Sequence, residues 1–206
     1  MAERYCSPCM DGSVSARRAT PTDIELVTTI IELAFAKDPL WSRALSPLSL
    51  AQRRPFWRLF AEGTLRYPWT WLLGGGGATS LWIPPDGTEM SPEQEERISE
   101  LASGLGPNKD NFHELLRRFD AAHPRTEPHY YLSLLGTHPD HRGQGLGMRL
   151  LAHDLALIDE EHRAAYLESS NPTNNRRYAS AGFEAVGEFS YPGNGPVVTT
   201  MWRPAR

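Results

Sequence analysis

Apolar residues recur along the chain with two periods, and the places where the period changes mark the predicted elements. Val14 and Ala16 share one side of residues 13–18, which predicts a short first strand. Thr20-Pro21-Thr22-Asp23 follows: a capping threonine, a proline at the first helical position and a carboxylate three residues past the cap. Ile24, Val27, Ile31, Ala34 and Phe35 then repeat at helical spacing, so an amphipathic helix runs to about Phe35. A second helical stripe holds Phe56, Trp57, Leu59 and Phe60 and is interrupted by Pro55. Residues 69–73 and 78–83 read as a hairpin around the glycines at 74–77.

Ser91-Pro92-Glu93 opens an acidic helix by the same cap logic, and residues 111–122 hold another. Residues 129–137 alternate Tyr130, Leu132 and Leu134 against Tyr131, Ser133 and Leu135, the pattern of a strand covered on both faces. From Gly145 a helix runs to about His162 with Leu150, Leu151, Asp154, Leu155 and Ile158 along one stripe. A short strand at 165–168 and a short helix at 174–181, ended by Gly182, come next. Strands at 186–191 and 197–202 close the chain as a hairpin around Pro192-Gly193-Asn194-Gly195. Helices and strands thus mix, with β-α-β-α-β in the second half. The expectation is one α/β domain over residues 13–206 behind a flexible arm at 1–12, without internal repeat or linker.

Composition narrows the function. The chain has 206 residues, 40% apolar and 22% charged, enough for one domain with a core. Its 21 basic and 25 acidic residues leave a net charge of −4, which disfavours nonspecific nucleic-acid binding. Two cysteines cannot staple a fold of this size. Met1 to Cys9 lack the apolar core of a secretory signal, and the uncharged run at 69–85 is broken by glycines and prolines. A cytoplasmic protein without a membrane partner is expected.

The chemistry concentrates in His138-Pro139-Asp140-His141-Arg142-Gly143-Gln144-Gly145-Leu146-Gly147-Met148, where a strand stops, a glycine-rich turn follows and a helix begins at once. Three glycines in five residues let the backbone close on a ligand and turn several N–H groups to one point. The helix start adds its own unpartnered N–H groups and the positive end of its dipole. This is an anion hole for a phosphate or diphosphate, with Arg142 able to add a full charge. A Walker loop would need Gly-Lys-Ser/Thr, and a dinucleotide fingerprint a different glycine spacing.

Arg142-Gly143-Gln144-Gly145-Leu146-Gly147 resembles the Arg/Gln-x-x-Gly-x-Gly/Ala loop of the GNAT superfamily, the acyl-CoA-dependent N-acyltransferases. Tyr130-Tyr131-Leu132-Ser133-Leu134-Leu135-Gly136-Thr137 before it is similar to that family's central strand. Tyr166-Leu167-Glu168-Ser169-Ser170-Asn171-Pro172, Asn174-Asn175-Arg176-Arg177-Tyr178 and Ala181-Gly182-Phe183-Glu184 resemble its later elements. Over about residues 129–189 the similarity is greatest to the puromycin N-acetyltransferase group, and it is weak before that.

The resemblance implies a mixed, splayed central sheet flanked by helices. It implies that the amides of Arg142, Gly143, Gln144, Gly145, Leu146, Gly147 and Met148 bind the diphosphate of coenzyme A. The preceding strand would carry a bulge and splay from its neighbour, and backbone groups of Leu134, Leu135 and Thr137 would hold the pantetheine arm. One such N–H would polarise the thioester carbonyl. Asn171 and Asn174 match cofactor-contacting positions, and Tyr178 matches a tyrosine beside the thioester sulfur. A phenol there can donate to the departing thiolate; the same residue also reads as packing on Phe183. Glu168, at a strand end, is the favoured general base or else a salt-bridged carboxylate, with His129, Tyr131 and Asp38 as lesser options.

The implied activity moves an acetyl group from acetyl-CoA directly to an amine of a small molecule, antibiotic-like or biosynthetic, in a monomer or homodimer that needs no metal. Phe35, Trp41, Phe56 and Trp57 are candidates for an apolar acceptor wall. Alternatives are a longer acyl-CoA, a carrier-protein-bound acyl group or aminoacyl-tRNA as donor, or a non-catalytic acyl-CoA-binding module. Cys6 and Cys9 have metal or redox spacing but lack a second ligand pair.

Overall fold

The computed structural model describes residues 15–206. The arm at 1–12, with Cys6 and Cys9, lies outside the described residues, as do positions 13 and 14 of the first predicted strand. Seven strands form one sheet: β1 (Ala16–Arg18), β2 (Thr70–Leu73), β3 (Ala78–Ile83), β4 (His129–Thr137), β5 (Ala164–Ser169), β6 (Glu184–Ser190) and β7 (Val197–Arg203). Their order is β1-β2-β3-β4-β5-β7-β6, and every neighbouring pair is antiparallel except β4 with β5. The helices are α1 (Ile24–Phe35), α2 (Pro39–Ala44), α3 (Leu50–Thr64), α4 (Pro92–Ala102), α5 (Lys109–Ala122), α6 (Leu146–Glu160) and α7 (Asn175–Ser180). Among the described residues no helix is long and apolar enough to cross a membrane.

Two apolar layers sandwich the sheet. On one face Val27, Ile31, Trp57, Phe60 and Phe112, from α1, α3 and α5, pack on Leu72, Leu81 and Leu134. On the other, Leu150, Leu151, Leu155 and Ile158 of α6 pack on Trp82, Leu132, Ala165 and Leu167. Asp154 of α6 is the polar pin of that second layer: fully buried, it accepts from Ser80 Oγ at 2.5 Å and from Trp82 Nε1 at 2.9 Å.

Two local expectations are corrected. Pro55 does not interrupt α3, which starts at a Ser49–Gln52 capping box and runs through the proline to Thr64. Pro55 cannot donate to the Ala51 carbonyl, but both residues are exposed, so water can take up that carbonyl. Asp38 opens a helix that the pattern did not reveal, α2, whose six residues are too few for a period.

The alternation along β4 also breaks. Leu81 pairs with Leu134, but the next residue, Trp82, pairs with Leu132, so Ser133 is the extra residue of a β-bulge. The bulge moves the side chains by one position: Tyr130 and Leu132 face the α6 layer, yet Leu134 joins the opposite layer and Leu135 packs beside α6.

Candidate active site

The bulge coincides with the opening of the sheet. β4 and β5 pair only from His129↔Ala164 to Leu132↔Leu167, although β4 continues to Thr137 and β5 to Ser169. Beyond Leu132 the sheet side of β4 that should meet β5 is free. On its other side β4 stays paired with β3 as far as Thr137. His138 N donates to Gly77 O and Trp82 N to Trp69 O, so the antiparallel alternation turns the backbone groups of Leu134 and Gly136 toward β3. Those of Leu135 and Thr137 are left to face the gap. Leu134 therefore does not serve the gap as expected: its side chain is in the core and its backbone is spent on Leu81.

The loop closes one end of this gap. Gly145 takes a left-handed conformation (φ 71°) as the N-cap of α6, a turn that favours glycine. Arg149 N makes the first intrahelical bond, to Gly145 O at 3.0 Å, so the amides of Leu146, Gly147 and Met148 stand ahead of it at the positive end of the helix. Arg142 plays a different part from that of a free rim charge. Its Nη2 donates to Ala34 O at 2.9 Å and so fastens the loop to the C-terminal turn of α1.

A cavity of about 580 Å³ runs from this loop along the gap. Arg142, Gly143, Gly145, Leu146, Gly147 and Met148 line it, as do Leu135, Thr137, Asn171, Asn174, Glu168 and Tyr178. Gln144 is exposed and not on its wall. The Asn171 side chain accepts from Thr173 N and Oγ1, and that of Asn174 from Arg177 Nη1. Sequence reasoning missed Lys37 and Arg177, which give the wall, with Arg142, three positive side chains; nothing in their spacing marks them.

Tyr178 packs edge-on against Phe183, ring centroids 6.3 Å apart, and also faces the cavity, so packing and cavity wall coexist. Burial, and then the negative charge of Asp38, push its phenol up to about 12. It stays protonated through the neutral range and is available there as a proton donor. Asp38, a minor candidate for the base, accepts from Leu40 N and Trp41 N as the cap of α2, and burial raises its carboxyl.

Glu168 extends from the end of β5 that has parted from β4 but stays paired with β7, and its side chain is only 2% exposed. His123 Nδ1 is 3.9 Å away, and the phenols of Tyr131 and Tyr166 lie against it, both raised by burial first and by Glu168 next. His129 turns its Nδ1 to Glu127 O at 2.7 Å, and burial lowers its pKa, so it does not reach the first cavity.

A second cavity, of about 1030 Å³, meets the first at Trp41, Phe119, Tyr131 and Glu168. Trp41 and Phe119 stack there, 5.9 Å apart and 7° from parallel. Phe35 lines the first cavity; Phe56 and Trp57 are core residues and line neither. The charges differ in sign between the two. Asp86, Glu89, Glu95, Asp120, Glu127 and Glu168 line the second against Arg117 and Arg125.

Residues 113–185 match the family model of the acetyltransferase (GNAT) domain. Over that segment the chain resembles a GNAT acetyltransferase domain. The matched segment spans β4, the loop, α6, β5 and α7, all of which wall the first cavity. Solved structures share the GNAT fold over nearly the whole chain. One, from Corynebacterium glutamicum, bears the name histone acetyltransferase HPA2 and related acetyltransferase; it is 24% identical, covers 94% of this chain and 97% of its own, with a TM-score of 0.67. Arylalkylamine N-acetyltransferase 2 from Aedes aegypti is 14% identical over 94% of this chain and 100% of its own, with a TM-score of 0.71. The NatC complex bound to Gag peptide and CoA has a chain 14% identical over 94% and 99%, with a TM-score of 0.55.

Proposed function

We propose that this GNAT domain transfers an acetyl group from acetyl-CoA to a primary amine of a small molecule, directly and without an acyl-enzyme. The observation that carries the reading is the continuity of one cleft from Gly143 and the amides at 145–148, past the backbone of Leu135 and Thr137 that faces the gap, to Tyr178 and Glu168. The diphosphate of CoA fits the loop because anions are held by convergent N–H groups at a helix start, and the pantetheine arm fits the gap as an added strand. A backbone N–H in the gap polarises the thioester carbonyl.

The acceptor approaches from the second cavity, whose carboxylates favour an ammonium while the first cavity's cations favour phosphate. Glu168, where the cavities meet, removes the ammonium proton. The amine attacks the carbonyl carbon, the C–N bond forms, the C–S bond breaks, Tyr178 gives its proton to the thiolate, and the second proton shed by the nitrogen as it becomes an amide restores the phenol. The aromatic wall of Trp41 and Phe119 favours a bulky, antibiotic-like or biosynthetic amine over a peptide. Thiol release from acetyl-CoA with a panel of aromatic amines, diamines and peptides tests the reading. Release with aromatic amines supports it; an inert panel with bound acetyl-CoA overturns it.

A further inference from the structure

The second cavity holds a carboxylate that the reaction above leaves unused. Glu89 sits on the loop that leaves β3, and that loop is held firmly. Arg66 Nη2 donates to Thr88 O at 2.8 Å, and Thr88 N donates to Tyr67 Oη at 2.9 Å. The Glu89 carbonyl packs into the space above Gly63, where any side chain would collide with it. Such anchoring is more than a surface loop needs.

So fixed, the Glu89 carboxyl faces the interior of the site. Burial pushes it up to about 7; the Ser133 hydroxyl and His123 pull the other way, and the charge of Glu168 adds to the rise. Ser133 Oγ, on the bulge of β4, is buried, and no hydrogen bond of ordinary geometry joins it to any partner. Tyr131 of β4 feels both carboxylates. Among the described residues the ion-pair partner of Glu168 is His123, and Glu89 has none. The guanidinium groups of the cavity are spent elsewhere, Arg117 on Glu114 and Arg125 on Asp120. Its other charges, Asp86, Glu95, Asp120 and Glu127, share Glu89's sign, and of its remaining imidazoles His129 is kept neutral by burial while His113 stands on α5.

Two carboxylates lining one cavity, one with only a histidine 3.9 Å away and the other with no ion-pair partner among the described residues, are costly unless a proton or a cationic ligand joins them. We propose that Glu89 is the second station of the proton's exit, taking from Glu168 the proton that the acceptor ammonium gives up and releasing it to water in the second cavity. The inference rests on the acetyltransferase reading. The balance is simple: the ammonium N–H breaks as Glu168 is protonated, Glu168 returns to carboxylate as Glu89 gains the proton, and Glu89 loses it to solvent before the next acceptor binds. Tyr131, whose phenol lies beside Glu168, is the bridging hydroxyl. Glu89 is a positioning residue in this scheme, acting through Glu168.

The test is the pH profile of kcat/KM for wild type, Glu89→Gln and Glu89→Asp with acetyl-CoA and an active amine. Glu89→Gln should lower kcat about tenfold or more near pH 7.5 and leave the KM for acetyl-CoA unchanged. Because Glu89 must be ionised to accept the proton and its carboxyl is raised to about 7, the wild-type profile should carry an acidic limb near that pH, and Glu89→Gln should lack it. Glu89→Asp should restore part of the rate. An unchanged rate, or a lost rate with the limb in place, overturns the proposal while the acetyltransferase stands. Wild-type protein that binds acetyl-CoA yet acetylates no amine sinks the reading beneath it, and the relay too.

Discussion

Ser170 donates its hydroxyl to Asp38 Oδ2 at 2.8 Å, tying the end of β5 to the cap of α2, and both residues line the first cavity. Asp38 Oδ1 meanwhile accepts from Leu40 N and Trp41 N. One buried carboxylate thus holds Trp41, which divides the two cavities, in register with the strand that carries Glu168. Ser170→Ala should cost about 1–2 kcal/mol and Asp38→Ala about 2–3 kcal/mol in urea unfolding, because the second strands two helix N–H groups as well. Equal losses would show that the bond to Ser170 does most of the holding.

Tyr178→Phe keeps the ring against Phe183 and removes only the donor. It should lower kcat about tenfold or more in steady-state assays while the affinity for CoA, measured directly, changes less than about twofold. Since the phenol is raised to about 12, the wild-type rate should show no loss from its ionisation below pH 10.

Asp154 tests the fold rather than the site. Removing it by Asp154→Ala leaves Ser80 Oγ and Trp82 Nε1 buried without an acceptor. The expected cost in urea or thermal unfolding is about 2–4 kcal/mol, against about half that for Asp154→Asn, which keeps an acceptor oxygen.

Glu89 makes stability depend on pH in a stated direction. Its carboxyl titrates near its ordinary value of 4.5 when unfolded and at about 7 when folded, so between those values the folded chain holds the extra proton. Its contribution is fully present below pH 4.5 and is lost as pH rises through 7. Glu89→Gln should therefore melt with wild type at pH 4.5 and above it at pH 8. A gap that closes as pH rises would contradict the assignment.

Much of this site is legible in the sequence alone, because Arg142 to Met148 use residues that few backbones require together. The placement of Tyr178, Asn171 and Asn174 along the first cavity follows from the same ordered segments. Leu134 shows where the reading fails. A period of two presumes an unbroken strand, and the extra residue at Ser133 inverts every side chain after it; no residue type announces a bulge at that serine. Phe56 and Trp57 fail for another reason: aromatic content marks a core and a binding wall alike, and only packing tells them apart. Glu89 left no signal at all, since the placement of its loop depends on the notch at Gly63, 26 positions earlier in the chain.

The most direct measurement is calorimetric titration of the folded protein with coenzyme A and with pantetheine, which lacks the diphosphate. If the amides of 143–148 hold that group, coenzyme A should bind with measurable heat and about a hundredfold more tightly than pantetheine, and Gly145→Val should erase most of the difference. Equal affinity for the two ligands, or no heat from coenzyme A, would contradict the assignment of this cleft.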